Sequence, residues 1–211
     1  MLRPRGRVCV AVEITVIGTG NIGATLARHW SAAGHRLHLG SRDPDDRGAG
    51  ELATEVSASL GTPAAAVARG EVVALAIPGS AVATTVGELA GELATKTIVV
   101  PANQMGARGS NIAGDVHELV PTAGVVRAFN TLPFELIAAG TLDGEQLDMF
   151  YAASEDADGL AAELISACGL RPIRVGGIEQ APLLDELFAL WAALAFGGGR
   201  GRGIAFALRG G

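Results

Sequence analysis

Short apolar runs alternate with amphipathic segments along most of the chain, and this alternation predicts its strands and helices. Apolar runs of about four to eight residues between glycine, proline or polar residues are typical of strands buried in a parallel sheet. Such runs predict strands at 13–17, 36–39, 71–77, 97–100, 124–129, 148–152 and 170–175. Apolar residues three and four positions apart predict a first helix that ends near Gly34, and further helices at 49–60, 63–69, 82–93, 112–120, 134–139, 157–168 and 181–196.

The alternation of strands and helices predicts an α/β protein with a Rossmann-type, doubly wound parallel sheet. The pattern loosens after Pro133, so we expect a nucleotide-binding domain of residues 13–130 and a small C-terminal α/β domain of residues 131–211. Between residues 60 and 63 the sequence leaves little room for a strand. Residues 1–12 resemble a signal peptide but lack a cleavage site, so we expect a disordered extension.

Three glycines follow the first predicted strand in the spacing Gly-x-Gly-x-x-Gly. In a dinucleotide-binding loop, Gly18 allows the tight turn, Gly20 leaves room for the pyrophosphate, and Gly23 lets the helix pack against the sheet. The helix N-terminus offers free N–H groups and a positive dipole end to the phosphates. The remaining predicted contacts of this loop are Thr19, Asn21 and Ile22. A glycine turn of another α/β protein is the alternative, but the flanking strand and helix favour dinucleotide binding.

The residues after the second predicted strand indicate which dinucleotide is bound. An NAD site usually carries Asp or Glu there, which accepts a hydrogen bond from the ribose 2′-hydroxyl. This chain has Ser41 and Arg42 instead, and a guanidinium binds a 2′-phosphate through paired, charge-assisted hydrogen bonds. Asp43 is the alternative acid, displaced by a few positions, but we interpret it as a cap or turn residue before a proline. NADP is therefore the predicted cofactor.

Ligands of doubly wound sheets bind beyond the carboxyl ends of the strands. That rule selects Ile77 and Pro78, residues 100–103 with Asn103, and residues 129–133. Taken separately, Pro78 is explained by strand termination, and Asn130 and Thr131 are explained as caps. Their convergence on one edge of the sheet is what favours a functional interpretation.

Composition excludes several classes of function. The net charge is −6, which argues against nucleic-acid binding, and no apolar run reaches the about 20 residues needed to cross a membrane. Cys9 and Cys168 form no C-x-x-C pair and the histidines show no ligand spacing, so we predict no metal and a cytoplasmic location. Segment 181–196 is almost wholly apolar and must be buried against the chain or a partner. Core packing and a homodimer interface are both open, and a homodimer is predicted.

Three stretches carry a resemblance to a known family: GTGNIG with the later GSRD, VVRAFNTLP at 125–133, and LWAALAFGGGRGRGIAFAL at 190–208. Over residues 13–208 the chain resembles the NADPH-dependent F420 reductases, also called F420:NADP oxidoreductases. The fold of this family also occurs in the reductase domain of metal-reducing membrane proteins. The resemblance implies a Rossmann domain for NADP and a small C-terminal domain that closes over the deazaflavin coenzyme F420. It implies that Ile77 and Pro78 line the nicotinamide pocket, and that the deazaflavin ring is lined by Asn130, Thr131, Leu132 and Pro133.

The chain departs from the family pattern in two places near the acceptor. Many relatives have Trp where this chain has Gly79, and residues 101–111 differ from the usual Asn-Pro loop. We expect a wider acceptor pocket at Gly79, which would also admit a bulkier flavin. The anionic tail of the coenzyme requires positive charge, and the alternatives for it are Arg108, Arg200 and Arg202.

The leading hypothesis is hydride transfer between NADP(H) and coenzyme F420 as co-substrate. Such chemistry depends on holding two rings together and requires little from side chains, so no catalytic residue is predicted. Hydroxy-acid dehydrogenases with a helix-borne lysine are disfavoured, because the only lysine, Lys96, leads into a strand. An NADPH-dependent flavin or ferric reductase is the enzymatic alternative. A non-catalytic NADPH sensor with a protein partner is the alternative from another class.

Overall fold

The computed structural model of the protein describes residues 11–106 and 109–210, so residues 1–10 of the expected extension and Arg108 lie outside the described residues. The described strands are β1 (Glu13–Ile17), β2 (Arg36–Gly40), β3 (Ser59–Gly61), β4 (Val72–Leu75), β5 (Thr97–Val100), β6 (Gly124–Arg127), β7 (Thr141–Leu142), β8 (Glu145–Gln146), β9 (Asp148–Ala153) and β10 (Arg171–Gly176). The described helices are α1 (Asn21–Ala32), α2 (Arg47–Glu55), α3 (Pro63–Val67), α4 (Gly79–Glu88), α5 (Ala90–Leu93), α6 (Ile112–Leu119), α7 (Phe134–Ala139), α8 (Asp158–Ala167) and α9 (Ala181–Ala192). A π-helical turn, Ala193–Gly197, continues α9.

Eight of these strands form one sheet in the order β10-β9-β6-β5-β4-β1-β2-β3. The chain fills one side of β1 with β2 and β3, and then crosses to the other side with β4, β5 and β6. These neighbours are parallel, and only β9 runs antiparallel to its neighbour β6. The predicted doubly wound Rossmann-type sheet is confirmed. Its order reverses between β1 and β4, and this is where such sheets bind their ligands.

The C-terminal strands extend this same sheet. Strand β9 pairs with β6 through Val126 and Arg127, and β10 pairs with β9 in parallel. The small hairpin of β7 and β8 forms a second, separate sheet. Residues after 131 therefore contribute two strands to the central sheet, and their assignment to a separate domain stays a prediction.

The expectation of little room for a strand before residue 63 was wrong. Helix α2 ends at Glu55, and Ser57 adopts a left-handed conformation with φ of 53°, which turns the chain back towards the sheet. Residues 59–61 then pair in parallel with β2, with Leu60 opposite Leu39. Three residues are enough here because an edge strand needs hydrogen-bonding partners on one side only.

The strands of the centre alternate between two apolar layers. Ile14 and Val16 of β1 face the layer that contains Trp30 of α1, and Val73 and Leu75 of β4 face the opposite layer. This burial on both faces explains why the strands read as continuous apolar runs. Complete burial of a large apolar side chain stabilises a protein by roughly 1.5–3 kcal/mol, so the two layers fix the position of the strand ends.

Helix α9 and the turn after it bury only one side. Asp185 and Trp191 are buried, whereas the exposed fractions of Leu183, Leu190 and Phe196 are 55%, 50% and 53%. The predicted helix 181–196 is α-helical to Ala192 and continues as the π-helical turn. The three exposed side chains form an apolar outer face. In the described part of the chain, no helix is long and apolar enough to cross a membrane.

Candidate active site

The glycine loop lies at the switch point, between the ends of β1, β2 and β4. Gly18 has φ of 99°, and a Cβ atom there would collide with the backbone oxygen of Ala76. A Cβ atom at Gly23 would collide with the backbone oxygen of Gly18. The glycine spacing thus allows α1 to pack tightly against the turn and the end of β4.

The space beside the Gly20 Cα atom is open, in contrast to the space beside Gly18 and Gly23. No described heavy atom lies within 4 Å of a Cβ atom built there. Gly20 is also the N-cap of α1, and within the described residues no side chain caps this end. The first-turn N–H groups of α1 therefore stay available to a ligand, and an anionic pyrophosphate fits this geometry.

A cavity of about 460 Å³ extends from this loop over the end of β2. Its wall contains Gly18, Thr19, Gly20, Ser41, Arg42, Ile77 and Pro78, which are seven of the predicted site residues. The helical residues Ala81 and Thr85 complete the far wall. The structure therefore brings the glycine loop, the predicted phosphate contacts and part of the predicted nicotinamide pocket onto one cavity.

The chain after β2 forms a tight turn around Asp43. Ser41 Oγ donates a 2.9 Å hydrogen bond to the Asp43 backbone oxygen, and Asp43 Oδ1 accepts from the Asp45 N–H at 3.2 Å. The interpretation of Asp43 as a turn residue is confirmed. Arg42 is exposed, and no described residue forms an ion pair or a hydrogen bond with its guanidinium. The guanidinium therefore stays available for an anion at this end of the cavity.

Sequence reasoning missed a second acid at this end of the cavity. Asp46 lines the wall with Asp43, and its Oδ2 accepts a 2.9 Å hydrogen bond from the Ala49 N–H at the start of α2. Asp46 stands directly before the first residue of α2, where an acidic N-cap is preferred, and this position could have revealed it. Since both acids are engaged by backbone N–H groups, Arg42 is the side chain there that is suited to a 2′-phosphate.

A smaller cavity of about 160 Å³ adjoins the first one and shares Ala76 and Ile77 with it. The rest of its wall is mostly apolar and consists of Ile22, Pro101, Ala102, Asn103, Phe129 and Leu132. Three of the predicted strand ends, those of β4, β5 and β6, therefore meet around one space. Its position beside the glycine loop and its volume suit a flat ring such as nicotinamide.

The other predicted acceptor residues do not line these two cavities. Asn130 and Thr131 are buried, and Asn130 Nδ2 donates a 3.0 Å hydrogen bond to the backbone oxygen of Leu184 in α9. Pro133 precedes α7 as its N-cap. Asn130 and Pro133 thus connect the acceptor side of the site to α9 and α7. The contact of these residues with a ligand stays a prediction.

The chain makes a strained turn just after β6. Phe129 is buried and has φ of 61°, a left-handed backbone conformation that residues other than glycine rarely adopt. The turn is held by a T-shaped contact with Trp30 of α1, with ring centroids 5.9 Å apart, and by Met149, whose sulfur lies 3.2 Å from the Phe129 N–H. Such backbone strain costs of order 1–3 kcal/mol and persists where the surroundings enforce it, often at functional sites.

Gly79 lines a cavity of about 430 Å³ together with Gln104 and Asn111, and the expectation of a wider acceptor pocket at Gly79 stays a prediction. A Cβ atom at Gly79 would lie 2.8 Å from the Asn103 backbone oxygen and 2.9 Å from Ile112 Cδ1. The loop after β5 therefore occupies the space that a side chain at position 79 would need.

Arg127 and Asp185 form the centre of the site's supporting network, and sequence reasoning missed both. Arg127 is 0% exposed, and its Nη1 donates to the backbone oxygens of Val100 and Ala102 at 2.8 and 2.6 Å. Its Nη2 donates to Asn103 Oδ1 at 2.9 Å and pairs with Asp185. Two signals were present: a charge within an apolar strand, and an acid within an apolar helix.

Burial dominates the electrostatics of this pair. It lowers the pKa of the Arg127 guanidinium, which the Asp185 carboxylate opposes. Burial also raises the pKa of Asp185, against the opposing effect of Arg127. Each charge is therefore tolerated only because the other is present.

The arginines considered for the acceptor tail differ in their environment. Arg202 forms a two-pronged ion pair with Glu135 at 2.9 and 3.1 Å and lies 5.6 Å from the centre of the Phe134 ring. Its hydrogen bonds lower the pKa of Glu135. Arg200 is exposed and, within the described residues, has no ion-pair partner. Among residues 11–106 and 109–210, no three His, Cys, Asp or Glu side chains are grouped so that they could hold a metal ion.

Comparison with known proteins supports the resemblance that the sequence indicated. Residues 13–104 match the family model described as "NADP oxidoreductase coenzyme F420-dependent". The resemblance to this family is thereby confirmed for the N-terminal half of the chain, and the match supports an NADP-linked oxidoreductase. The match ends at residue 104, within the 101–111 loop that differs from the family pattern.

Two solved structures share the fold. A candidate F420-dependent NADP reductase from Arthrobacter sp. FB24 has a TM-score of 0.84 and 24% identity, covering 95% of this chain and 100% of that one. A reductive aminase from Aspergillus terreus, solved with NADPH, has a TM-score of 0.68 and 21% identity, covering 90% of this chain and 64% of that one.

A curated relative is also similar in sequence. Metalloreductase STEAP3 of Rattus norvegicus is 27% identical over 182 residues, which are 84% of this chain and 36% of the relative. The chain thus spans about a third of the length of this curated relative.

Proposed function

We propose that the protein transfers a hydride between NADP(H) and the deazaflavin coenzyme F420. The observation that carries this proposal is the pair of adjoining cavities at the switch point, a larger one of mixed polar and apolar lining beside the glycine loop and a smaller, mostly apolar one beyond Ile77. The description of the matching family model favours F420 as the acceptor. The Arthrobacter structure, whose full length aligns with 95% of this chain, is named for the same pair of cofactors.

The larger cavity would hold the adenosine and pyrophosphate half of NADP. In this proposal Arg42 and Ser41 bind the 2′-phosphate, and Thr19 adds a hydroxyl near it. The N–H groups at Asn21, Ile22 and Gly23, at the start of α1, bind the pyrophosphate over the open position of Gly20. The NADPH-bound state of the Aspergillus terreus structure, which shares the fold, is consistent with this use of the edge.

The apolar cavity would hold the nicotinamide ring, with Ile77, Pro78 and Asn103 around it. When bound, the two cofactors would supply the redox chemistry, which is the transfer of a hydride between nicotinamide and deazaflavin together with one proton. The chain's own contribution is to hold the rings face to face and to exclude water from between them. Backbone groups of residues 130–132 would orient the deazaflavin, and Pro133 would keep that turn rigid.

A flavin or ferric reductase with the same NADPH site is the second candidate. The observation in its favour is the 27% identity to the rat metalloreductase, whose name denotes reduction of a metal. In the third candidate, a non-catalytic NADPH sensor, the cofactor would bind and never be oxidised. We also propose a cytoplasmic homodimer, because α9 leaves an apolar outer face.

Oxidation of NADPH should be followed at 340 nm with F420, FMN, FAD and a ferric chelate in parallel. Rapid bleaching of F420 and slow or absent reduction of the other acceptors is the expected result. Reduction of FMN, FAD or the ferric chelate without F420 would replace the acceptor and keep the reductase. Tight NADPH binding without any turnover would instead support the sensor.

A further inference from the structure

The Arg127 guanidinium holds together the parts of the chain that form the acceptor side of the site. Four of its hydrogen bonds go to three places: the Val100 and Ala102 backbone oxygens, Asn103 Oδ1, and Asp185 of α9. Val100 is the last residue of β5, and Ala102 and Asn103 belong to the loop after it, which walls the smaller cavity. Because Arg127 is fully buried and lines neither of the two cavities, its influence on a ligand must pass through this loop.

The network continues from the loop to the turn after β6. Asn103 Nδ2 donates a 2.7 Å hydrogen bond to the Asn130 backbone oxygen, and Asn130 Nδ2 donates at 3.0 Å to the Leu184 backbone oxygen. Helix α9 is therefore attached twice, once through Asp185 and once through Leu184. The two walls of the smaller cavity and the helix behind them share one set of hydrogen bonds.

We infer that Arg127 and Asp185 are positioning residues for the nicotinamide and acceptor side of the site. They fix the course of residues 100–103 and, through Asn103, the turn of Phe129 and Asn130. This inference rests on the proposed function, since it assigns the network to the hydride-transfer geometry of that same site. It also separates the two halves of the site, because no hydrogen bond or ion pair among the described residues links the network to Ser41 or Arg42.

Three buried atoms of this network have no hydrogen-bond partner among the described residues: Arg127 Nε, Asn130 Oδ1 and Asp185 Oδ2. A purely structural buried ion pair gains most when all its polar atoms are satisfied. Here two of the four hydrogen bonds made by Arg127 go to backbone oxygens at the end of β5 and in the loop after it. The bonding pattern therefore favours control of the loop's shape over simple stabilisation.

The test uses variants that remove the network with the least loss of folding. Arg127→Met alone leaves the Asp185 carboxylate buried without its partner, so the main variant is the double replacement Arg127→Met with Asp185→Leu. Replacing both members of a buried pair by apolar residues of similar volume is often neutral for stability. Arg127→Lys is a second variant, which keeps the charge but cannot supply the planar fork to four acceptors. Arg174→Met, which breaks an exposed ion pair with Asp158, is the matched control.

Two probes separate the halves of the site. Binding of 2′,5′-ADP reports the adenosine half alone, whereas the fluorescence of bound NADPH reports the surroundings of the nicotinamide. We expect the double variant to bind 2′,5′-ADP within threefold of the original protein but to show altered nicotinamide fluorescence. We expect its kcat/KM for F420 to fall by about 100-fold, the order of loss that a 1 Å misplacement causes. Arg127→Lys should lie between, and Arg174→Met should match the original protein.

The outcomes are distinguishable from failure of the proposed function. If the original protein reduces no acceptor, the fluorescence of bound NADPH still tests the positioning role. Unchanged fluorescence and unchanged kcat/KM in the double variant or in Arg127→Lys would overturn the inference and leave Arg127 a purely structural residue. Equal losses of 2′,5′-ADP and NADPH binding would overturn it too, because the network would then support the whole fold.

Discussion

Asn103 Nδ2 donates a 2.7 Å hydrogen bond to the backbone oxygen of Asn130, and this bond joins the loops after β5 and β6. The same side chain accepts from Arg127 Nη2 at 2.9 Å through its Oδ1. One amide therefore satisfies a backbone acceptor on one side and a buried guanidinium on the other. Asn103 therefore connects the two loops that wall the smaller cavity to the buried Arg127.

Asn103→Ala should destabilise the protein by about 1–3 kcal/mol, because the Asn130 backbone oxygen loses its hydrogen bond and Arg127 Nη2 keeps only Asp185 as a partner. Unfolding in urea measures the change. Gln146→Ala is the control, since Gln146 Nε2 donates a 3.0 Å hydrogen bond to the Gly169 backbone oxygen at an exposed position. The control should change stability by less than about 0.5 kcal/mol. Equal effects for both variants would contradict the role assigned to Asn103.

The architecture and the glycine loop could be predicted because both depend on local patterns. Apolar runs marked the central strands, and the spacing of Gly18, Gly20 and Gly23 indicated the turn at the switch point. The short strand β3 was missed because its pairing with β2 depends on the left-handed conformation of Ser57, which no apolar pattern reveals.

The supporting network could not be predicted because its members are distant in sequence. Arg127 and Asp185 are 58 residues apart, and a charge in an apolar strand does not tell which acid it meets. The filling of the space beside Gly79 by the Asn103 backbone likewise needs the course of a loop. Loops of this kind are set by tertiary contacts.

The preference for NADPH over NADH should depend on Arg42. Arg42→Ala should weaken the binding of NADPH by roughly 1.5–3 kcal/mol, the value of a hydrogen bond to a charged group, and leave the binding of NADH nearly unchanged. Isothermal titration with both cofactors measures this difference. Arg47→Ala is the matched control, because Arg47 is a nearby exposed arginine that pairs with Glu51 instead of lining the cavity. Equal losses of both cofactors in Arg42→Ala would refute the assignment.

Gly20 and Gly23 should separate binding from folding. Gly20→Ala meets no described atom within 4 Å, so stability should stay within about 0.5 kcal/mol of the original while the added methyl obstructs the pyrophosphate. In Gly23→Ala the added methyl group would collide with the Gly18 backbone oxygen. This variant should therefore lose about 1–3 kcal/mol of stability, and its NADPH binding should weaken as well. Thermal unfolding and titration of each variant test this. Normal NADPH binding by Gly20→Ala would exclude this loop as the phosphate site.

Gly79→Ala should displace the loop after β5. The new Cβ atom would lie 2.8 Å from the Asn103 backbone oxygen, and the resulting shift should cost about 1–3 kcal/mol. Gly87→Ala is the control in the same helix, because no described atom lies within 4 Å of its Cβ position. That variant should gain up to about 1 kcal/mol from helix propensity. Comparable unfolding free energies for the two variants would mean that the loop after β5 moves aside without destabilising the protein.

The outer face of α9 should hold two copies of the chain together. Leu183 and Leu190 are about half exposed on this helix, and Phe196 in the turn after it is exposed to the same extent. Large exposed apolar residues on one helix favour a protein interface, since burying apolar surface stabilises association by about 25 cal/mol per Å².

Light scattering at micromolar concentration should give the mass of a dimer for the original protein, and Leu190→Glu should give a monomer because a carboxylate would be buried at the interface. Leu119→Glu, at an exposed leucine of α6, is the matched control and should stay dimeric. A monomer for the original protein would exclude the homodimer. A dimer that persists in Leu190→Glu would place the interface elsewhere on the surface. The loss of dimer in Leu190→Glu with unchanged unfolding of each subunit would instead show that α9 carries the contact, since the variant side chain then costs association and not folding.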